Sequence, residues 1–261
     1  ADGTKRTIND LLNNYSQTIT GSGVIKDYTG GYGNKNTTLI GSDAADEIYG
    51  YEGNDTLYGG DGNDILDGGS GADTLIGGKG DDKLYGGRDN DTYIFNLGDG
   101  NDTIEDYVSS SSNSKADKVI FGESISAEDI KVERSGNNMI VRYSENDSIT
   151  LINQYSNGYY WVENFEFADG TKRTINDLLN VAQTIHGNGK IEDYTSGYGN
   201  KNNTLVGSDG ADELYGYEGT DTLIGGKGDD ILYGGWDNDT YIFNLGDGND
   251  TIEDYVSSSS N

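Results

Sequence analysis

A nine-residue period is the strongest constraint on this chain. From Gly41 it reads GSDAADEIY, GYEGNDTLY, GGDGNDILD, GGSGADTLI, GGKGDDKLY and GGRDNDTYI; from Gly207 it reads GSDGADELY, GYEGTDTLI, GGKGDDILY and GGWDNDTYI. The first position is always Gly. The sixth is always Asp: Asp46, Asp55, Asp64, Asp73, Asp82 and Asp91, then Asp212, Asp221, Asp230 and Asp239. The eighth is large and mostly aliphatic, from Ile48, Leu57, Leu66, Leu75, Leu84 and Tyr93 onwards. One such unit cannot bury its own apolar residue, so neighbouring units must stack. Each nonapeptide reads as a six-residue turn and a three-residue strand whose eighth residue points inward. The glycines permit positive φ in the turn. Two nonapeptides make one coil, so residue i stacks on residue i+18.

A longer period encloses the short one. ADGTKRTINDLLN at 1–13 returns at 168–180, an offset of 167, and after the loss of one residue GYGNKN at 31–36 returns at 197–202, an offset of 166. NLGDGNDTIEDYVSSSSN at 96–113 returns at 244–261, so the second copy is 18 residues shorter. Loss of 18 residues removes one whole coil and preserves its phase. The chain opens on the repeated wording itself, so it reads as an excerpt of something longer.

Composition narrows the chemistry. The chain has 41 Gly, no Pro, only 32% hydrophobic residues and a formal net charge of -29. Such a chain repels nucleic acid and attracts cations. Low hydrophobicity and high charge also mark disorder, but 20 Tyr and regularly spaced Ile and Leu oppose that reading. With no Cys there are no disulfides, thiolate ligands or cysteine nucleophiles. No apolar run is long enough to span a membrane as a helix.

The aspartates demand a counter-charge. Coils stacked about 4.8 Å apart bring successive carboxylates together, and two charges at that distance repel by about 3 kcal/mol at an effective dielectric near 20. Ca²⁺ takes six to eight oxygen ligands, carboxylate and carbonyl alike, whereas Mg²⁺ prefers a tight octahedron and keeps its waters. Oxygen-only donors also disfavour Zn²⁺ and Cu²⁺. Asp and Asn favour turns without binding anything, but that does not explain an invariant sixth position beside variable neighbours.

The ten nonapeptides resemble the GGxGxDxUx repeat of the RTX (repeats-in-toxin) family. The resemblance implies an all-β fold: two calcium-bound parallel β-rolls joined by a β-strand-rich non-repeat segment. It also implies several Ca²⁺ ions, with loop carbonyls completing each site. The aspartate pairs expected to hold them are Asp46 with Asp64, Asp55 with Asp73, Asp64 with Asp82, Asp73 with Asp91, Asp212 with Asp230 and Asp221 with Asp239. Asp99, Asp102, Asp247 and Asp250, in the GDGNDTIEDY segments, are expected to close the final sites. Those segments match an EF-hand loop poorly, lacking Gly at the sixth position and Glu at the twelfth. The first repeats depart from the pattern with Ser42 and Ser208 at position two, and the last with Asp89 and Asp237 where Gly is usual.

The expected organisation is a lead-in at 1–40, a first roll at 41–107, a β-rich segment at 108–180, a second lead-in at 181–206, a second roll at 207–255 and a truncated linker at 256–261. Within the middle segment, strands are expected at 118–121, 130–133, 139–143, 148–152 and 161–167, with a hairpin turn at 135–138 and a short helix at 174–179 capped by Thr174. FADGTKRTINDLL resembles the haemolysin-type calcium-binding related segment that adjoins RTX arrays. Tyr155, Tyr159, Tyr160 and Trp161 form an aromatic cluster that covers the open end of a roll or, alternatively, offers a glycan or partner patch.

Catalysis finds little support. The only His is His186, so zincin motifs are excluded and a Ser–His triad has no support. The acids follow the turn period and not the paired geometry of a glycosidase. Three functions remain. The first is a structural repeat module of a secreted or surface bacterial protein, with neighbouring copies of the same repeat as partners. The second is an accessory region of an RTX toxin, protease or lipase whose catalytic domain lies elsewhere. The third is a lectin-like adhesin. The resemblance implies type I secretion and folding outside the cell.

Overall fold

A computed structural model describes residues 17–27, 36–106, 116–155, 162–179, 184–192 and 202–254. It is nearly all β, and the chain divides into two compact units: 1–130 with 143–175, and 131–142 with 176–261.

The first unit is a parallel β-solenoid. Its strands are β1 (Gln17–Thr20), β2 (Val24–Lys26), β3 (Thr37–Ile40), β4 (Glu47–Glu52), β5 (Thr56–Asp61), β6 (Ile65–Ser70), β7 (Thr74–Lys79), β8 (Lys83–Arg88), β9 (Thr92–Phe95), β10 (Asn101–Ile104) and β11 (Lys118–Phe121). A hairpin of β12 (Lys131–Ser135) and β13 (Asn138–Arg142) belongs to the second unit; β14 (Ser148–Leu151), β15 (Asn164–Glu166) and β16 (Lys172–Thr174) return to the first. One face runs β1-β3-β5-β7-β9-β11-β15-β16 and the other β2-β4-β6-β8-β10-β14. From β3 to β10 odd and even strands fall on opposite faces because two nonapeptides complete a coil. The register obeys the 18-residue rule: Leu57 pairs with Leu75, Gly60 with Gly78 and Leu66 with Leu84.

The eighth residues form the core. Leu39, Leu57, Leu75, Tyr93, Val119 and Phe165 stack down one face, and Ile25, Ile48, Leu66, Leu84, Ile104 and Leu151 down the other, all buried. Stacking therefore continues past the last nonapeptide. Val119 lies on Tyr93 and Phe165 on Val119, so the segment after the array extends the same solenoid.

The second unit repeats the plan with fewer coils. Strands β17 (Thr184–His186), β18 (Lys190–Glu192), β19 (Thr204–Val206), β20 (Glu213–Tyr217), β21 (Thr222–Ile224), β22 (Ile231–Gly235), β23 (Thr240–Ile242) and β24 (Thr251–Ile252) follow helix α1 (Ile175–Leu179). One face runs β13-β12-β17-β19-β21-β23 and the other β18-β20-β22-β24. Ile185, Ile191, Leu205, Leu214, Leu223 and Leu232 make its core, with Tyr241 packed against them.

The non-repeat elements fall close to their expected places. The strand at 118–121, the hairpin turning at Gly136 and Asn137, and the helix after Thr174 are all present. The strand expected over 161–167 spans only Asn164–Glu166, and it pairs antiparallel with β16, which sequence reasoning missed. Strands β5 to β8 of the first array are six residues long, not three. They run on through the first two glycines of the next repeat, because Gly60 and Gly78 keep the ladder register. Tyr155 is half-buried; Tyr159, Tyr160 and Trp161 lie outside the described residues.

The second and fourth positions carry the positive φ. Gly78 has φ 100°, and a Cβ there would lie 2.0 Å from the carbonyl oxygen of Gly60. Gly98 has φ 89° with nothing within 4 Å of an added Cβ. Gly98→Ala should therefore cost only backbone strain, about 1 kcal/mol, and Gly78→Ala clearly more. Denaturant unfolding at saturating Ca²⁺ measures both, and equal losses would contradict the steric reading.

Candidate metal centre

Each position-six aspartate sits at the point where turn becomes strand, and its two carboxylate oxygens do different work. Oδ1 accepts a backbone N–H from the preceding coil. The Asp46 N–H donates to Asp64 Oδ1 at 2.7 Å, Asp64 to Asp82 at 2.7 Å, and Asp82 to Asp102 at 3.0 Å. On the opposite side Thr37 donates to Asp55 at 2.7 Å, Asp55 to Asp73 at 2.7 Å, Asp73 to Asp91 at 2.8 Å, and Asp91 to Asp117 at 2.8 Å. The second unit repeats this: Asp212 to Asp230 at 2.8 Å, Asp221 to Asp239 at 2.8 Å and Asp230 to Asp250 at 3.0 Å. All six expected pairs are thus stacked neighbours, linked by a charge-assisted hydrogen bond and not merely by proximity.

Oδ2 is different. In Asp55, Asp64, Asp73, Asp82, Asp91, Asp102, Asp230 and Asp239 it is buried and accepts no hydrogen bond. In the nonapeptides it faces the first glycine of its own repeat. A Cβ added to Gly59 would lie 2.3 Å from Asp64 Oδ2 and 2.4 Å from the Gly77 carbonyl oxygen of the next coil. At Gly50 the corresponding atoms are Asp55 Oδ2 at 2.6 Å and Gly68 O at 2.7 Å, and at Gly216 they are Asp221 Oδ2 at 2.6 Å and Gly234 O at 2.5 Å. Position one is Gly because a side chain would occupy the space between a carboxylate and a carbonyl oxygen. A buried carboxylate oxygen beside a carbonyl oxygen, with no proton donor, suits a hard cation that takes oxygen ligands. Bound Ca²⁺ would supply the positive charge these oxygens lack.

The electrostatics agree. Burial raises the carboxyls of Asp55 and Asp82 to about 6, Asp73 to about 7, Asp102 to about 8 and Asp91 to about 9, against the lowering effect of the N–H bonds. Asp64, Asp230 and Asp239 are raised by the same cause.

Not every expected aspartate has a spare oxygen. Asp46 Oδ2 accepts the Ser42 N–H at 2.6 Å and Ser42 Oγ at 2.9 Å, and its Oδ1 accepts the Gly23 N–H. Burial pushes its carboxyl up, but these bonds outweigh it and leave the pKa lowered. Asp212 is held the same way by Ser208 and Gly189. The Ser at position two of each first repeat therefore caps the opening edge of its column. Asp99 and Asp247 lie off the columns: Oδ2 of each accepts the N–H of Asn96 or Asn244, closing a local turn. Asp102 and Asp250 do continue the columns, 20 residues on instead of 18.

Sequence reasoning missed three buried aspartates that end the columns in the first unit. Asp27 accepts Thr37 Oγ1 at 2.8 Å, Asp106 accepts the Tyr93 hydroxyl at 3.0 Å, and Asp117 stacks on Asp91. A signal was present: ADKVI at 116–120 matches ADTLI at 72–76 without the glycines, and Asp27 and Asp106 share the wording Ile-x-Asp-Tyr.

Two outcomes follow. Without Ca²⁺, carboxyls raised above the value near 3.9 of an unfolded Asp make the folded state hold more protons than the unfolded one. Its stability is then fully present below about pH 4 and lost as pH rises towards about 9. Circular dichroism in EGTA should show β structure decaying with rising pH; growth with pH would contradict this. Asp64→Asn and Asp73→Asn should raise the Ca²⁺ concentration needed for folding well above wild type, and Asp46→Asn much less, as a calcium titration followed by circular dichroism will show.

Comparison with known proteins agrees with this geometry. The RTX calcium-binding nonapeptide repeat (4 copies) matches residues 31–66, 58–93, 67–104, 198–230 and 215–252. The haemolysin-type calcium binding protein related domain matches residues 138–177. No curated protein matches the chain. Parallel coils in 18-residue register and both family matches lead to one conclusion: the chain carries two blocks of RTX calcium-binding nonapeptide repeats, which bind Ca²⁺ at several sites, and a haemolysin-type calcium binding protein related domain between them.

Proposed function

We propose that this chain is a structural module of a secreted or cell-surface bacterial protein, unfolded where Ca²⁺ is scarce and folding into stiff rolls outside the cell. The position-six aspartates, with their glycine-turn carbonyls, hold the ions. The observation that carries the reading is the row of buried Oδ2 oxygens with no hydrogen-bond donor. Such oxygens are costly to bury as charges, so the fold waits for its counter-ion, and binding free energy becomes folding free energy. The 166-residue internal repeat supports an elongated architecture of such modules. Among the described residues no helix is long and apolar enough to cross a membrane.

Adding millimolar Ca²⁺ to the chain in EGTA should raise its β content and reduce its radius in solution scattering. Mg²⁺ at the same concentration should not substitute. A chain equally folded with and without Ca²⁺ would sink the proposal. The full-length gene separates this role from an accessory one: many copies of the long repeat favour the structural module, and an adjoining catalytic domain favours the accessory region.

A further inference from the structure

The end of the first array is built differently from its interior. Asp91 is the last position-six aspartate, Asp106 follows β10, and Asp117 precedes β11. One carboxylate oxygen from each lies within 4.8 Å of the others, and all three residues are buried. We propose that Asp91, Asp106 and Asp117 form an additional cation site that takes one hard divalent ion of calcium's size and ties the last nonapeptide to the two segments that follow it. The proposal rests on the calcium reading of the repeats and extends it to a site of different make-up.

Asp91 Oδ2 is buried and accepts no hydrogen bond. A Cβ added to Gly86 would lie 2.5 Å from this oxygen and 2.3 Å from Tyr93 Oη, so the glycine keeps open the space they face. The rest of the cluster is held in place by its surroundings. The Gly86 N–H donates to Tyr93 Oη at 2.9 Å, and the Tyr93 hydroxyl donates to Asp106 Oδ2 at 3.0 Å. Asp117 Oδ1 accepts the Asp91 N–H at 2.8 Å, and the Asp117 N–H donates to Glu163 at 3.1 Å.

Three carboxylates this close cannot all ionise without a cation. The donors are all oxygen, which favours Ca²⁺ over transition metals. The interior sites pair a carboxylate with glycine carbonyls; this one gathers three carboxylates from segments 15 and 11 residues apart in sequence. Tyr93 stands at position eight, where every earlier repeat of the first array has Ile or Leu, and its hydroxyl is the device that fixes Asp106. The second array repeats it in part: the Gly234 N–H donates to Tyr241 Oη at 3.1 Å.

The test is calorimetric counting of Ca²⁺ on the whole chain after EGTA treatment, wild type against Asp106→Asn. Asn keeps an acceptor for Tyr93 and removes the charge. The expected result is one ion fewer in the variant, with the remaining ions and the β signal at saturating Ca²⁺ retained. An unchanged ion count and affinity in the variant overturns this proposal alone. A wild-type chain that takes up no Ca²⁺ overturns the repeat reading with it. Should the variant fail to fold, Eu³⁺ bound to the wild type decides, because its excitation line shifts with total ligand charge. A line separate from that of the repeat sites supports the three-carboxylate site, and a single shared line overturns it.

Discussion

The structure depends on how a buried carboxylate divides its two oxygens. In the repeat columns Oδ1 accepts the backbone N–H of the coil before it, at 2.7–3.0 Å. This bond sets the spacing of the coils and fixes the side-chain rotamer. Fixing the rotamer leaves Oδ2 turned towards the first glycine, away from water and from any donor. The bond that builds the solenoid thus also creates the unmet charge within it. Only a proton or a cation can satisfy that oxygen, and burial that raises Asp73 to about 7, Asp102 to about 8 and Asp91 to about 9 makes the two compete at neutral pH.

Apolar burial cannot compensate. Each nonapeptide contributes one core side chain, such as Leu57 or Leu66, and nearly every other buried position is a glycine or the aspartate itself. One apolar side chain per nine ordered residues is little burial to set against backbone entropy, which is highest for glycine. Bound Ca²⁺ would add its binding free energy to that of the ladder hydrogen bonds. A thin core suits the calcium-dependent folding proposed for the module, because little else would hold the coils together without the ion.

The regular part of this design was legible in the sequence and the irregular part was not. The phase of nine places Asp64 under Asp46 and Leu66 under Ile48, because a parallel solenoid admits no other register. What the period could not show is how a column ends. Asp99 has the right wording but the wrong place, since the extra residues of the NLGDG turn carry the register on to Asp102. Asp117 has the right place but lacks the glycines that announce a repeat, because the strand that follows it needs no ion-binding turn of its own. Ser42 reads as a defect in the consensus until its hydroxyl is seen on Asp46.

The two ends of the first array resolve the solenoid's terminal problem in opposite ways. A stacked column always leaves one carboxylate at each end with a neighbour on one side only. At the opening edge Ser42 supplies an N–H and a hydroxyl, so Asp46 keeps its charge and its hydrogen bonds without any ion. At the far edge the chain adds acid where the first edge added donors: Asp117 stacks on Asp91, and Asp106 closes in from the side under the Tyr93 hydroxyl. Adding carboxylates to an already acidic column is destabilising unless a cation is present, whereas adding donors helps in either case. The Asp46 column thus opens on hydrogen-bond donors, whereas the column on the opposite side opens on Thr37 beside the buried Asp27 and closes on Asp117 and Asp106.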